Sequence, residues 1–251
     1  MIIAQISDSH IDPESDRLHD RLKNLRCVVD DVNNLDPAPD IVIHTGDVVH
    51  NGSQEKYALA LSILRHLRAP LHACAGNRDD RALIIKSFQT GQHLEPDSGF
   101  LQYSIDDYPV RLIALDTLCS TSNMGDYCQL RADALSRMLD QEPHKPTVLF
   151  MHHPPFEIVD SIYPFQFDNW DTVDHLVGVL KQHDQVKQLL CGHTHRFSKG
   201  SIHGVAASTV PSIAVDLRFG EVPEGAQLKP VYQLHTYDGS GFNSETVVCN
   251  S

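Results

Sequence analysis

The sequence predicts an α/β protein built from layers of sheet and helix. Short apolar runs recur along the chain, and most of them end in a polar cluster, as strands buried on both faces do. Helical patterns lie between several of these runs, and this alternation builds α/β layers. The predicted strands are IIAQI (2–6), DIVIHT (40–45), LHACA (71–75), RLIALD (111–116), TVLFM (147–151) and KQLLC (187–191).

Four segments carry the helical pattern. In the first, apolar residues from Leu18 to Leu35 recur at spacings of three and four, which places them on one face of a helix. Residues 53–68, 130–140 and 171–182 show a similar pattern. In sheets of this class, sites collect beyond the carboxyl ends of the strands, so functional residues are expected there.

The C-terminal part of the chain has a different pattern. From about Ser198 onward, KGSIHGVAAST, YQLHTYD and SETVVC are short β-type pieces with Gly-rich turns and no helix between them. We predict that residues 198–251 form antiparallel strands that complete a second sheet within one domain spanning residues 1–251. Residues 118–130 and 156–172 are predicted to be long irregular connections that form the walls of a pocket.

Composition limits the class of function. The chain has 251 residues, of which 41% are hydrophobic and 21% charged, enough for a compact domain with a real core. The formal net charge of −13 argues against a general surface for nucleic acid polymers, which needs clustered Lys and Arg. The same charge repels an anionic substrate unless bound metal ions invert the local field.

Cysteine usage and the N-terminal sequence predict a cytoplasmic protein. The six cysteines form no C-x-x-C pair, which favours reduced, mostly buried thiols. The start MIIAQISDSH has no basic leader and no long apolar segment, so no signal peptide is expected. No apolar run approaches the length of a membrane span.

Polar residues that can bind metal follow the predicted strands. Asp8 and His10 lie two residues apart, as do His193 and His195, and in an extended stretch such pairs point the same way. Carboxylate, amide and imidazole ligands in this mixture suit Zn, Mn or Fe. The full candidate set is Asp8, His10, Asp47, Asn77, His152, His193 and His195.

Seven candidate ligands are too many for one tetrahedral ion. They suit two ions about 3.5–4 Å apart that share one carboxylate. Each motif alone is weak, because a single D-x-H or H-T-G-D stretch is more often a cap or a turn. The specificity comes from their combination, since every motif stands at the end of a predicted strand.

The series SDSH, TGDVV, GNRDD, FMHHPP and CGHTH resembles the calcineurin-like metallophosphoesterases. The resemblance is closest to the class III cyclic-nucleotide phosphodiesterases and the bacterial glycerophosphodiesterases, and its motifs span residues 6–195. It implies a four-layer α-β-β-α sandwich of two mixed β-sheets flanked by helices. Relatives are often oligomeric, and the C-terminal strands are a candidate contact for a homo-oligomer.

The resemblance also implies the arrangement of two divalent metal ions. One ion would be held by Asp8, His10, Asp47 and His195. The other would be held by Asp47, Asn77, His152 and His193, with Asp47 and a hydroxide or water bridging the pair. In-line attack of the bridging hydroxide on a small phosphodiester, a cyclic nucleotide or a glycerophosphodiester, is the expected reaction. Of the two adjacent histidines, His152 occupies the family's ligand position, so His153 is expected to support the ligands and to lie beside the substrate.

The GNRDD motif departs from the family at Arg78. Relatives commonly have His there, beside the substrate phosphate and in reach of the leaving group. A guanidinium stays protonated and cannot serve as an efficient general acid, but it can hold two phosphate oxygens in a fork. We predict that Arg78 clamps the phosphoryl group while a metal-bound water or His195 assists departure. The alternative is a solvent-facing Arg78 paired with Asp79 or Asp80.

Other functions stay open at the level of sequence. Gly-Asn-Arg-Asp also occurs in the UDP-diacylglucosamine pyrophosphatases, so a nucleotide-linked diphosphate substrate is the main alternative. A phosphomonoesterase is another, because the pocket walls near 118–130 and 156–170 decide between monoester and diester. A binding protein that has lost catalysis is disfavoured, since none of the seven ligand positions has lost its ligand residue type.

Overall fold

Eleven strands and five α-helices appear in the computed structural model, which describes residues 1–88, 99–159 and 161–250. The helices are α1 (Leu18–Asn33), α2 (Gln54–Leu64), α3 (Arg81–Phe88), α4 (Gln129–Gln141) and α5 (Val173–Leu180). The first strands are β1 (Ile2–Ile6), β2 (Ile41–His44), β3 (Leu71–Ala73), β4 (Tyr103–Ile105), β5 (Arg111–Ala114) and β6 (Thr147–Phe150). The remaining strands are β7 (Val186–Cys191), β8 (Ser198–Ile202), β9 (Val205–Thr209), β10 (Val231–Tyr237) and β11 (Phe242–Val248).

The strands form two mixed sheets. The five-stranded sheet has the order β11-β10-β1-β2-β3, and the six-stranded sheet has the order β4-β5-β6-β7-β9-β8. Strands β1, β2 and β3 run parallel, as do β5, β6, β7 and β9. The antiparallel strands lie toward the edges, at β10 and β11 in one sheet and at β4 and β8 in the other.

Two hydrophobic clusters hold the layers together. The larger joins α1, α2 and α3 to the five-stranded sheet and continues into the space between the sheets. The smaller packs α4 and α5 on the six-stranded sheet. Because each helix buries one apolar face against a sheet, the order of layers is helix, sheet, sheet, helix. The predicted four-layer α/β sandwich is confirmed.

One prediction about the C-terminal strands is wrong. The sequence placed all strands after residue 198 in the second sheet, whereas the structure divides them between the two sheets. Strands β8 and β9 extend the six-stranded sheet, while β10 pairs antiparallel with β1 in the other. Alternation along a strand indicates which face is buried but not which strand pairs with it. The pairing of Ile2 with Thr236 therefore could not be predicted from the pattern. That residues 1–251 form one domain stays a prediction.

Candidate metal centre

All seven predicted ligands lie in loops that leave the carboxyl ends of strands. Asp8 and His10 follow β1, Asp47 follows β2 and Asn77 follows β3, all in the five-stranded sheet. In the six-stranded sheet, His152 follows β6, and His193 and His195 follow β7. The structure brings these loops together where the ends of the two sheets meet, the location expected for a site in parallel sheets.

Asp8, His10, Asp47 and His195 form the first group of side chains. Their potential ligand atoms all lie within 4.8 Å of one another. Nε2 of His195 lies 3.2 Å from Oδ1 of Asp8 and 3.0 Å from Nε2 of His10. Oδ1 of Asp8 is buried and accepts no hydrogen bond within the described part of the chain. A buried carboxylate oxygen without a donor is suited to a cation.

The second group is built around His152. Its Nε2 lies 3.0 Å from Oδ1 of Asn77, 3.2 Å from Nδ1 of His193 and 3.5 Å from Oδ2 of Asp47. The same Oδ2 atom of Asp47 lies 3.5 Å from Nε2 of His10 in the first group. Asp47 therefore stands between the two groups and can contribute to both.

The backbone at five of these residues is left-handed. The φ angles are +56° at Asp8, +44° at His10, +53° at Asp47, +71° at His193 and +53° at His195. Residues other than glycine adopt this conformation at a cost and tend to do so where function requires it. The side chains in each D-x-H and H-x-H pair converge, but the extended backbone predicted for them is wrong.

Glycines let the loops approach closely. A Cβ on Gly76 would overlap the backbone nitrogen and Oδ1 of Asp47, and a Cβ on Gly192 would overlap the Ser7 hydroxyl. Both are rigid, buried neighbours, so no small shift would relieve the overlap. These glycines set the distance between the loops that carry the candidate ligands.

Surrounding groups orient the candidate ligands. His152 donates from Nδ1 to the carbonyl of Thr45 at 2.8 Å, and His195 donates from Nδ1 to the carbonyl of Leu217 at 2.9 Å. Both rings therefore present Nε2 to the centre. The backbone nitrogen of Arg78 donates to Oδ1 of Asp47 at 2.7 Å. Such hydrogen bonds fix the tautomer and the direction of a metal ligand.

Electrostatics prepare the centre for cations. Burial opposes ionisation of Asp8, but His195, His10 and His152 together outweigh it and hold the Asp8 pKa well below the usual value. Burial likewise opposes ionisation of Asp47, and His152 and His10 lower its pKa overall. Burial and His152 lower the pKa of His193 to about 3. Ionised carboxylates and a neutral imidazole are the forms that bind a metal ion.

His152 carries a proton when no ion is bound. Burial lowers its pKa, but the charges of Asp47 and Asp8 and the hydrogen bonds to Asp47 and the Thr45 carbonyl together raise it to about 9. A divalent ion has to displace this proton, so ion binding at neutral pH is coupled to proton release. The donor set of carboxylate, amide and imidazole fits Mn, Fe or Zn.

Arg78 lines the cavity over the centre. This cavity has a volume of about 470 Å³, and its walls include Asn77, His50 and Asn123. Neither neighbouring carboxylate pairs with the guanidinium within the described residues. Asp79 points inward and accepts from Tyr57 Oη at 2.8 Å, and Asp80 accepts from a backbone nitrogen of α3. The geometry disfavours the alternative of a solvent-facing ion pair.

His153 is placed differently from its neighbour His152. It is buried, its Nε2 donates to the carbonyl of Asn123 at 3.1 Å, and its Nδ1 accepts from the Thr117 hydroxyl at 2.8 Å. Both ring nitrogens are therefore engaged by the loop after β5. These contacts fix His153 against the loop that carries Asn123 to the cavity, and its contact with the substrate stays a prediction.

The sequence analysis missed several residues around the centre. His50 lines the cavity, with its ring 5.8 Å from that of His10. Arg21, on α1, donates to the carbonyl of His10 at 2.9 Å and is paired with Asp216 at 2.8 Å. The only sequence signal for His50 was its place three residues after Asp47. No sequence signal marked Arg21 as part of the site, because a single Arg on a helix usually faces solvent.

Comparison with known proteins decides the family. A family model described as calcineurin-like phosphoesterase matches residues 1–197. The chain belongs to the calcineurin-like phosphoesterase family. A probable glycerophosphodiester phosphodiesterase of Arcobacter nitrofigilis is 32% identical over 243 residues, which cover 94% of this chain and 88% of that protein. A 3′,5′-cyclic adenosine monophosphate phosphodiesterase of Pseudomonas aeruginosa is 29% identical over 200 residues, which cover 78% of this chain and 70% of that protein.

The fold of this calcineurin-like phosphoesterase matches that of a solved enzyme. The crystal structure of a dimetal phosphatase from Danio rerio superimposes with a TM-score of 0.71, covering 100% of this chain and 99% of that one. At 14% identity the likeness concerns the fold alone. Enzymes of this family are metal-dependent hydrolases with a binuclear site. Two groups of side chains in this chain fit such a site: Asp8, His10, Asp47 and His195 in one, and His152, His153 and His193 in the other. Within the described residues, no helix is long and apolar enough to cross a membrane.

Proposed function

We propose that this protein is a binuclear-metal phosphodiesterase that hydrolyses a small phosphodiester, a glycerophosphodiester or a cyclic nucleotide. The observation that carries the proposal is the position of Asp47, whose Oδ2 lies 3.5 Å from one imidazole of each group. A carboxylate shared in this way supports two adjacent ions rather than one. The names of the two relatives, a glycerophosphodiester and a cyclic-nucleotide phosphodiesterase, support the substrate class.

The ligand assignment follows the two groups. Asp8, His10, Asp47 and His195 would hold one ion, and Asp47, Asn77, His152 and His193 the other. Two bound ions would supply an activated water near neutral pH and draw charge off the phosphoryl oxygens. Mn, Fe and Zn all accept these ligands, and we propose that the native pair comes from these three.

Arg78 and Asn77 are proposed to position the substrate. Arg78 lines the cavity, and its backbone nitrogen donates to Asp47, so the backbone of this residue is anchored beside the shared carboxylate. A guanidinium fork binds two oxygens of a phosphoryl group at once. The Asn77 amide, also at the cavity, donates a further hydrogen bond when its oxygen binds an ion.

The proton for the leaving oxygen is assigned to His50. A metal-bound water or His195 was predicted for this task, but Nδ1 of His195 is committed to Leu217 and its Nε2 faces Asp8. An imidazole that binds a metal through Nε2 has no proton there to give. His50 is half-buried and lines the same cavity as Arg78. Burial lowers the pKa of His50, with His10 and Arg78 adding to the effect, and a bound phosphoryl anion opposes that shift.

The test compares hydrolysis of bis(p-nitrophenyl) phosphate with that of p-nitrophenyl phosphate. Metal-stripped protein receives Mn²⁺, Zn²⁺ or Fe²⁺, and an Asp47→Asn variant serves as the control for contaminating activity. We expect diester turnover that returns only with metal and that the variant lacks. Preference for the monoester would indicate that Arg78 directs the cavity to a terminal phosphate. Metal-loaded protein inactive on both would contradict the proposal and favour a nucleotide-linked diphosphate substrate.

We further propose that the protein is cytoplasmic and forms a homo-oligomer through its C-terminal strands. Strand β11 is the edge of the five-stranded sheet, paired only with β10 among the described strands. An edge strand offers unpaired backbone groups to a second copy. Light scattering coupled to size-exclusion chromatography measures the mass, and a monomer at all concentrations would exclude this assembly.

A further inference from the structure

A buried glutamine lies between the two sheets, behind the metal centre. Gln5 is on β1 of the five-stranded sheet and is fully buried. Its Nε2 donates to the carbonyl of Cys191 at 2.9 Å and to Oγ1 of Thr45 at 3.1 Å. Cys191 is the last residue of β7 in the six-stranded sheet, and Thr45 follows β2 in the five-stranded sheet. One amide nitrogen therefore connects the two sheets.

Both partners of this nitrogen stand at the start of a loop that carries candidate ligands. Cys191 lies two residues before His193, and Thr45 lies two residues before Asp47. The two loops are in contact at this point, because a Cβ on Gly192 would lie 2.8 Å from the carbonyl oxygen of Thr45. The Gln5 amide thus joins the two loops at the place where they leave their sheets.

The orientation of the Gln5 amide is fixed by His235. The carbonyl of Cys191 can only accept a hydrogen bond, so Gln5 has to direct its nitrogen there and its oxygen to the opposite side. That oxygen, Oε1, lies 3.0 Å from Nε2 of His235, which must therefore be the donor. Burial lowers the pKa of His235 to about 3, so the ring is neutral and its Nδ1 accepts from Oγ of Ser244 at 2.7 Å. Both ends of the amide are engaged, and it cannot turn without losing hydrogen bonds.

We propose that Gln5 is a positioning residue for the metal centre, whose amide sets the distance between the loop that carries Asp47 and the loop that carries His193. The inference rests on the proposed function, because two adjacent ions can share a carboxylate only while these loops are held close. Within the described residues, the Gln5 side chain hydrogen-bonds none of the seven candidate ligands. It acts through Thr45 and Cys191. Hydrogen bonds behind metal ligands are typically worth about tenfold to 100-fold in metal affinity or activity.

The test uses Gln5→Met, which keeps the length of the side chain and removes both donors. The carbonyl of Cys191 keeps the hydrogen bond from the backbone nitrogen of Val210 at 3.1 Å, so this carbonyl is not left unpaired. Metal-stripped protein is titrated with Mn²⁺ and followed by electron paramagnetic resonance, in which two neighbouring Mn²⁺ ions give a coupled spectrum that a single ion does not.

We expect the wild type to bind two coupled Mn²⁺ ions. Gln5→Met should bind the second ion about tenfold to 100-fold more weakly and lose the coupled spectrum at a Mn²⁺ concentration that saturates the wild type. At that concentration, kcat for bis(p-nitrophenyl) phosphate should fall by a similar factor. KM should stay within about twofold, since Gln5 is buried behind the ligands and does not reach the cavity.

Two further variants separate positioning from a general loss of stability. Gln102→Met is the matched control, because Gln102 is also fully buried, donates to the carbonyl of Arg131 at 2.8 Å and accepts from Oη of Tyr127 at 3.2 Å. Its partners lie outside the ligand loops, so it should leave Mn²⁺ binding and coupling unchanged. Thr45→Val removes only one of the two bonds from Gln5 and should weaken the second ion about twofold to tenfold. It provides the test if Gln5→Met does not fold.

The outcomes distinguish this inference from the proposed function. Wild-type Mn²⁺ affinity and coupling in Gln5→Met, or in Thr45→Val where that is the variant available, would overturn the inference and leave the binuclear centre in place. An equal loss in Gln102→Met would show an effect of stability alone and would also overturn it. A wild type that binds no coupled pair would contradict the proposed function, and the inference would fall with it.

Discussion

The guanidinium of Arg78 stands at the wall of the metal-site cavity, and both adjacent carboxylates are bonded elsewhere. We expect Arg78→Ala to lower kcat/KM for a diester by roughly 10- to 100-fold, since a charge-assisted hydrogen bond contributes about 1.5–3 kcal/mol. Arg78→Lys keeps the charge but loses the guanidinium fork, so its kcat/KM should lie between those of the wild type and Arg78→Ala. Steady-state kinetics on the metal-loaded proteins measure this effect. Arg17→Ala, on the exposed surface, is the control. Unchanged activity in Arg78→Ala would restore the solvent-facing alternative.

His50 supplies a prediction that depends on the leaving group. We expect His50→Gln to lower kcat by about 100-fold for a diester with an alcohol leaving group, because general acid catalysis contributes at least this much. A p-nitrophenolate leaves without a proton, so the same variant should keep most of its activity on bis(p-nitrophenyl) phosphate. The ratio of the two rates is the measurement, and His144→Gln, exposed between α4 and β6, is the control. An equal loss on both substrates would show a structural role.

At the scale of elements, the close approach of the loops is the controlling feature. We expect Gly76→Ala to reduce bound metal from two ions to one or none, because its methyl group would displace Asp47. Elemental analysis by mass spectrometry measures the metal content after dialysis. Gly178→Ala is the matched control, since it lies in α5 with nothing within 4 Å, and it should be neutral or stabilising by about 0.5–1 kcal/mol. Full metal content in Gly76→Ala would mean that the loops can separate without loss.

The elements also show what could be predicted from the sequence. The strand ends were predictable because each apolar run stops at a polar cluster, so the ligands of both sheets could be located. The left-handed backbone at His10 and His193 could not be predicted, because it depends on contacts that form only after the two sheets come together. Helix α3 was missed because Asp80, whose carboxylate caps the nitrogen of Leu83 at 2.8 Å, looks like part of a polar turn.

At the scale of the whole molecule, the space between the sheets is divided into an apolar and a polar part. Ile43, Leu112 and Phe150 belong to the large hydrophobic cluster. The polar part is a relay of hydrogen bonds that runs from Gln188 through Ser244 and His235 to Gln5. The relay ends at the carbonyl of Cys191, one residue before Gly192. Apolar runs and short β-type pieces predicted these strands but could not show that polar residues of β1, β7 and β10 would meet, because the pattern along one strand carries no information on which strands lie beside or opposite it.

The relay makes stability depend on pH through His235. Burial lowers the pKa of His235 to about 3, while the unfolded chain has the ordinary value of about 6.5. The neutral imidazole therefore stabilises the fold fully above pH 6.5. This contribution is lost as the pH falls from about 6.5 toward 3, because the unfolded chain takes up the proton first.

We expect the unfolding free energy of the wild type to fall between pH 7.5 and 5.5 by about 1.4 kcal/mol more than that of His235→Gln. Glutamine can still accept from Ser244 and donate to Gln5, but it does not titrate. Urea unfolding of both metal-loaded proteins at the two pH values gives the difference, in which the other buried histidines cancel. Equal pH dependence in the two proteins would mean that His235 reaches solvent at low cost. The polar part of the space between the sheets would then be open to water rather than closed by the relay.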